Sequence, residues 1–116
     1  MRYKAIIQLT SGEDGVIRSM ASQIDNLIEA LNSEVDIELV CHGQSLPFVL
    51  NEGNEWSDII DILLLNHVEI VACENMLKAN SKSGNELFPG IRTVPAAIAE
   101  IVVKQHEGWS YIKAGF

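Results

Sequence analysis

Two hydrophobic periods alternate along the chain. Ala5-Ile6-Ile7-Gln8-Leu9 is a compact apolar run of strand length, and Thr10 to Gly15 breaks it with loop residues. From Val16 the spacing changes: Ile17, Met20, Ile24, Leu27, Ile28 and Leu31 recur at three- and four-residue steps, one face of a helix that Asn32-Ser33 ends. Val35, Ile37, Leu39, Val40 and Cys41 make a second strand, closed by His42-Gly43. Ser45 is placed to cap a short helix with Pro47 in its first turn. A turn at Asn51 to Asn54 leads into a helix from Trp56 to Asn66, with Ile59, Ile60, Leu63 and Leu64 inward. Val68 to Ala72 is a third strand and Glu74 to Ala79 a short helix, followed by the most loop-like segment, Asn80 to Asn85. After a turn at Leu87 to Gly90, Ile91 to Val94 is a fourth strand. Pro95 opens a helix whose inner face is Ala97, Ile98, Ile101, Val102 and Gln105; Gly108 stops it before a last strand, Trp109 to Ile112.

Strands alternating with helices predict an α/β fold: one domain with a five-stranded, mostly parallel sheet and helices on both faces. Right-handed crossovers bring the carboxyl ends of the strands to one edge, where ligands gather in such sheets. That rim collects Thr10-Ser11-Gly12, Cys41-His42-Gly43, Cys73-Glu74-Asn75 and Val94-Pro95. Thr10, Gly43, Asn75 and Pro95 are thus candidate substrate-binding positions beside Cys73 and His42. Strands two and three, if neighbours, stand about 4.8 Å apart.

Composition narrows the function. The 116 residues carry a net charge of -8, which opposes phosphate backbones and anionic lipid surfaces, so neither nucleic acid nor a membrane is expected as a partner. No apolar run reaches bilayer-spanning length. Met1-Arg2-Tyr3-Lys4 leads into a strand with no signal-peptide pattern. The expected compartment is the cytoplasm, where Cys41 and Cys73 are thiols rather than a structural bridge. Neither glycine-rich phosphate-binding motif occurs, and Cys41-His42 is not zinc spacing, so no cofactor and no metal is expected.

Cys73 is the candidate nucleophile. Roughly 3% of an ordinary thiol is ionised at pH 7, and a helix N-terminus adds about 0.3–1 kcal/mol toward the anion. Glu74 opposes that bias, and a protonated His42 would reinforce it. The bland reading makes Cys73 a small buried residue at a strand end, and Cys41 has the stronger core character. His42 reads as a base, a donor to substrate or a strand-end polar residue; His67 and His106 read as surface residues at helix ends. Trp56 and Trp109 read as packing residues, and the acidic residues as scattered over solvent faces. Three functions follow: sulfur chemistry at Cys73, a non-catalytic binding module with a structural cysteine, or a Cys41–Cys73 redox pair, which needs Cα atoms within about 7 Å.

Three stretches carry a resemblance. They are Val40-Cys41-His42-Gly43; Ala72-Cys73-Glu74-Asn75-Met76-Leu77; and Leu87-Phe88-Pro89-Gly90, continued through Val94-Pro95-Ala96-Ala97 to Gln105-His106-Glu107-Gly108-Trp109-Ser110-Tyr111-Ile112-Lys113. Together they resemble the DsrE/DsrF-like family of small intracellular sulfur-relay proteins, in its stand-alone branch. The resemblance implies a three-layer α/β/α fold and homo-oligomers, trimers or hexamers. It also implies a persulfide on the cysteine after the third strand, here Cys73, passed between a sulfur-donor and a sulfur-acceptor protein. His42-Gly43 matches the branch's histidine–glycine pair. Glu74 stands where many relatives have glycine.

Overall fold

A computed structural model describes residues 2–115; Met1 and Phe116 lie outside the described residues. Five strands, β1 (Tyr3–Leu9), β2 (Val35–Cys41), β3 (Glu69–Cys73), β4 (Arg92–Val94) and β5 (Ser110–Lys113), form one sheet in the order β4-β3-β2-β1-β5. Every pairing is parallel. The helices are α1 (Asp14–Ala30), α2 (Leu46–Val49), α3 (Ser57–Leu65), α4 (Glu74–Ala79) and α5 (Ala97–His106), with 3-10 turns at Gly43–Ser45 and Gly84–Glu86.

Strand order decides which face each helix covers. From β1 to β4 the chain steps in one direction across the sheet, so right-handed crossovers put α1 to α4 on one face. From β4 it returns to the far side of β1, and the same handedness puts α5 alone on the opposite face. Contacts agree: Ile7 and Ile112 share an apolar groove with Met20 and Ile24 of α1, whereas Glu38 and Cys73, on the other face, meet α5. The result is a three-layer α/β/α fold whose third layer is a single ten-residue helix.

The core follows from this arrangement. Ile6, Leu9, Leu39, Val40, Ile70 and Val71 are sealed within the sheet, and Ile17, Met20, Ile24, Phe48, Ile60 and Leu63 pack from the four-helix side. Phe48 lies 6.2 Å from the Trp56 ring, whose Nε1–H donates to Asp14 at 3.0 Å.

Several sequence expectations need correction. α1 starts at Asp14, two residues earlier than its apolar stripe. Asp14 belongs to the first turn, where its carboxylate accepts from Arg18 and Trp56. Ser45 does not cap α2 with its side chain; its hydroxyl donates to the His42 carbonyl at 2.8 Å, closing the 3-10 turn. The loop after α4 is shaped by a capping box between Ser83 and Glu86. Pro95 does not begin α5: Ala96 is extended (φ −152, ψ 127), and the helix starts at Ala97. Within α5, Ala97 and Ile101 are buried but Ile98 and Val102 point outward, 58% and 62% exposed. A helix lying alone on a sheet buries a narrow stripe, so the wide apolar face outruns the surface available to it. Trp56 is buried as expected; Trp109 is half-buried, with the Lys104 ammonium 4.7 Å from its ring centre. His67 and His106 are exposed at helix ends.

Candidate functional site

The rim at the carboxyl ends of the strands gathers the expected residues because all five strands point the same way. Cys73 is the last residue of β3 and is paired with Val94 of β4. Cys41 pairs with Ala72, which places His42, still extended at φ −155 and ψ −174, opposite Cys73 on the neighbouring strand. Side chains opposite each other on parallel strands share a face. Cys73 and His42 therefore look toward α5, and Cys41 looks away from it.

That alternation disposes of the redox pair. Cys41 and Cys73 project from opposite faces of the sheet, and both are free thiols. A bridge would require a register slip that moves every side chain of a strand to the wrong face. Cys41 is fully buried, and burial pushes its thiol far up, out of the range in which it ionises. Its core role is what its apolar neighbours suggested.

Cys73 differs in its hydrogen bonding. The residue is 5% exposed, and its sulfur accepts the backbone N–H of Ala97, at 3.4 Å. Pro95 and extended Ala96 delay the start of α5, so its first N–H reaches the thiol. Cys73 also stands at the N-cap position of α4 without making a side-chain cap bond there. The sequence suggested the helix that follows the cysteine as its anion-favouring neighbour; the N–H actually donated comes from a helix 24 residues away.

His42 is held by two residues not anticipated from sequence. Its Nε2 lies 2.8 Å from Gln8 Nε2, and the Tyr111 hydroxyl donates to Gln8 Oε1. Burial lowers the His42 pKa, which favours the neutral ring. A charged His42 supporting a Cys73 thiolate is therefore not what this geometry provides. The one signal for Gln8 was its place as the single polar residue within the first apolar run; nothing local marked Tyr111.

The remaining rim residues are backbone elements. Gly43 needs its positive φ of 64°, which turns the chain after β2, and the next N–H, from Gln44, bonds the Thr10 carbonyl at 3.0 Å. Thr10, Gly43, Asn75 and Pro95 are all exposed, and the Asn75 side chain makes no hydrogen bond among the described residues. No group of three or more His, Cys, Asp or Glu able to hold a metal is present among the described residues.

A second group of polar residues lies lower on the same face. Glu38 is completely buried under α5, contrary to the expectation that the acidic residues line solvent. Its Oε1 is 3.5 Å from Arg92 and 3.9 Å from Lys104, while Oε2 has no partner among the described residues. Burial first, then the neighbouring Glu100 carboxyl, push its pKa up to about 8, against the pull of Lys104 and Arg92.

A protein of unknown function, MTH1491 from Methanobacterium thermoautotrophicum, superposes with a TM-score of 0.90 at 28% identity, over 96% of this chain and 98% of that one. The ychN protein from E. coli gives 0.73 at 18% identity, over 97% and 99%. The chain shares their fold. That fold is the three-layer α/β/α arrangement around a five-stranded parallel sheet that the resemblance implied. No family model matches the chain, and no curated protein does so at a significant level. Among the described residues no helix is long and apolar enough to cross a membrane.

Proposed function

We propose that this protein is a sulfur carrier that accepts sulfur as a persulfide on Cys73. The observation that carries the reading is the placement of Cys73: at the strand rim, opposite His42, with its sulfur receiving the first N–H of α5. A donor placed there solvates charge on sulfur, and the thiolate is the attacking species in exchange at sulfur. The DsrE-like fold supports the reading, because the resembled family is a sulfur-relay family.

The chemistry is an exchange with no net redox change. The Cys73 thiolate attacks the outer sulfur of a donor persulfide. A bond forms between Sγ and that sulfur, the donor's S–S bond breaks, and its electron pair leaves on the donor thiolate, which takes a proton from water. An acceptor thiolate then attacks the outer sulfur and releases Cys73 as thiolate. No cofactor enters either step. A sulfur-donor and a sulfur-acceptor protein are the partners this implies, in the cytoplasm.

The carrier works as a homo-oligomer, a trimer or hexamer, in this proposal. Ile98, Val102 and Val103 are at least half exposed on the outer side of α5, the helix whose first N–H reaches the Cys73 sulfur. Val102→Asp should lower the assembly mass in sedimentation; an unchanged mass would remove α5 from the interface.

The deciding experiment is intact-protein mass spectrometry after incubation with a small persulfide donor, comparing wild type, Cys41→Ala and Cys73→Ser. One added sulfur atom, removable by reductant and lost only in Cys73→Ser, is expected. Loading that survives Cys73→Ser would refute the assignment. The competing reading, a binding module with a structural cysteine, is favoured by the 5% exposure of Cys73. It requires that Cys73 resist both sulfur loading and alkylation until the protein unfolds.

A further inference from the structure

Resting on that reading, we propose that Tyr111, Gln8 and His42 form a relay with a fixed hydrogen-bond direction. It holds His42 as a neutral imidazole with its hydrogen on Nδ1, and that N–H serves the outer sulfur of a persulfide on Cys73.

The direction follows from what each atom can do. A carboxamide oxygen only accepts and its nitrogen only donates. The Tyr111 hydroxyl meets Gln8 Oε1, so tyrosine is the donor at that end. Gln8 therefore turns its N–H toward His42, and the nitrogen it meets at 2.8 Å, Nε2, has to supply a lone pair. A neutral imidazole accepting at Nε2 carries its hydrogen on Nδ1. The other tautomer, or the imidazolium, would set two N–H groups against each other across this contact. Burial of the ring works in the same sense by disfavouring its charged form.

This assigns roles within the site. With its Nε2 lone pair engaged, His42 is not the base that removes a proton from Cys73. It is a hydrogen-bond donor, and Nδ1 has no partner among the described residues. The acceptor that fits is negatively charged sulfur. Continuing the register one residue past Cys41 and Ala72 sets His42 across from Cys73, and adjacent strands run about 4.8 Å apart. An outer sulfur bonded to Sγ lies about 2.05 Å further on. Ala97 N–H meets the inner sulfur and His42 Nδ1–H the outer one, so each sulfur of the persulfide has its own donor. Gln8 and Tyr111 are positioning residues: they touch neither sulfur and act through the ring.

The tautomer is readable without sulfur chemistry. Long-range proton–nitrogen correlation spectra of the 15N-histidine-labelled protein at pH 7 should show His42 with its hydrogen on Nδ1. Gln8→Leu, which removes the donor, should free Nε2 and mix the tautomers. Tyr111→Phe, which frees the amide, should do the same. After loading with a small persulfide donor, the Cys73 persulfide should be lost about tenfold faster in His42→Phe, the effect of removing one hydrogen bond to a charged acceptor. An Nε2–H ring in wild type, or a tautomer unmoved by Gln8→Leu, overturns the relay. Equal persulfide lifetimes in wild type and His42→Phe overturn the role at the outer sulfur. Failure of Cys73 to load refutes the carrier reading and this sulfur role with it, while the spectra still decide the relay.

Discussion

Replacing Glu38 by glutamine is expected to stabilise the protein, by an amount that grows with pH. The carboxyl is sealed between the sheet and α5, and its pKa rises from 4.5 to about 8, through burial first and Glu100 second. Between those values the native chain holds a proton that the unfolded chain has released, so stability falls as pH rises. The contribution is intact below pH 4.5, is lost progressively up to about pH 8, and is flat above it. At about 1.36 kcal/mol per pH unit, the loss accumulated between pH 4.5 and pH 7 is on the order of 3 kcal/mol. Glutamine keeps the shape, has no proton to lose, and leaves Arg92 and Lys104 with a neutral oxygen to bond. Urea denaturation of both proteins at pH 5, 6, 7 and 8 is the assay. Subtracting the curves cancels the titrating groups remote from Glu38, and the advantage of Glu38→Gln should grow by roughly 1 kcal/mol per unit. Parallel stability profiles would refute the reasoning, because a Glu38 that ionises normally adds no slope in this range.

Further outcomes follow from packing. Phe48 is fully buried beside Trp56, so Phe48→Ala should cost about 3–5 kcal/mol in denaturant titration, and a loss below 1 kcal/mol would mean that the site collapses freely. Gly90 combines φ +98 with a Cβ position 2.7 Å from Leu64 Cδ1, whereas Gly53, at φ +67, has nothing within 4 Å. Leu64 Cδ1 is the movable end of a half-buried side chain, so the backbone decides: Gly90→Ala, at a φ well outside the left-handed well, should cost about 1 kcal/mol more than Gly53→Ala, and equal melting temperatures would contradict that strain. Cys41, sealed and held as thiol, should react with thiol reagents only at the rate of global unfolding, whereas Cys41→Ser, which buries a hydroxyl among apolar groups, should cost about 1–3 kcal/mol. Labelling of Cys41 in the folded protein would show an opening that the sealed core does not contain.

Much of this architecture was readable along the chain. Val35 to Cys41 and Ile17 to Leu31 are located by periodicity alone, because a half-buried helix and a buried strand impose different spacings on their apolar residues. The reading failed where a decision depended on distant neighbours. Glu38 looked like any acidic residue in an alternating strand until α5 covered it. Ile98 and Val102 looked like core, yet α5 lies alone on its face of the sheet, with no neighbouring helix to cover its flanks. Ser45 had a capping residue's identity, and its hydroxyl found the His42 carbonyl instead.

The candidate site divides in the same way. Sequence by itself determined that Cys73 and His42 end strands and that Cys41 is core-like, since strand length and apolar alternation are local properties. Tertiary structure decided what those residues can do. Strand order set Cys73 opposite His42 and turned Cys41 to the other face. The crossover from β4 brought the Ala97 N–H to the sulfur, and β1 and β5 supplied Gln8 and Tyr111 to orient the imidazole. The physical reason is that periodicity reports only whether a side chain faces the core. Hydrogen-bond direction and charge depend on partners far away in the chain, which only the folded arrangement brings together.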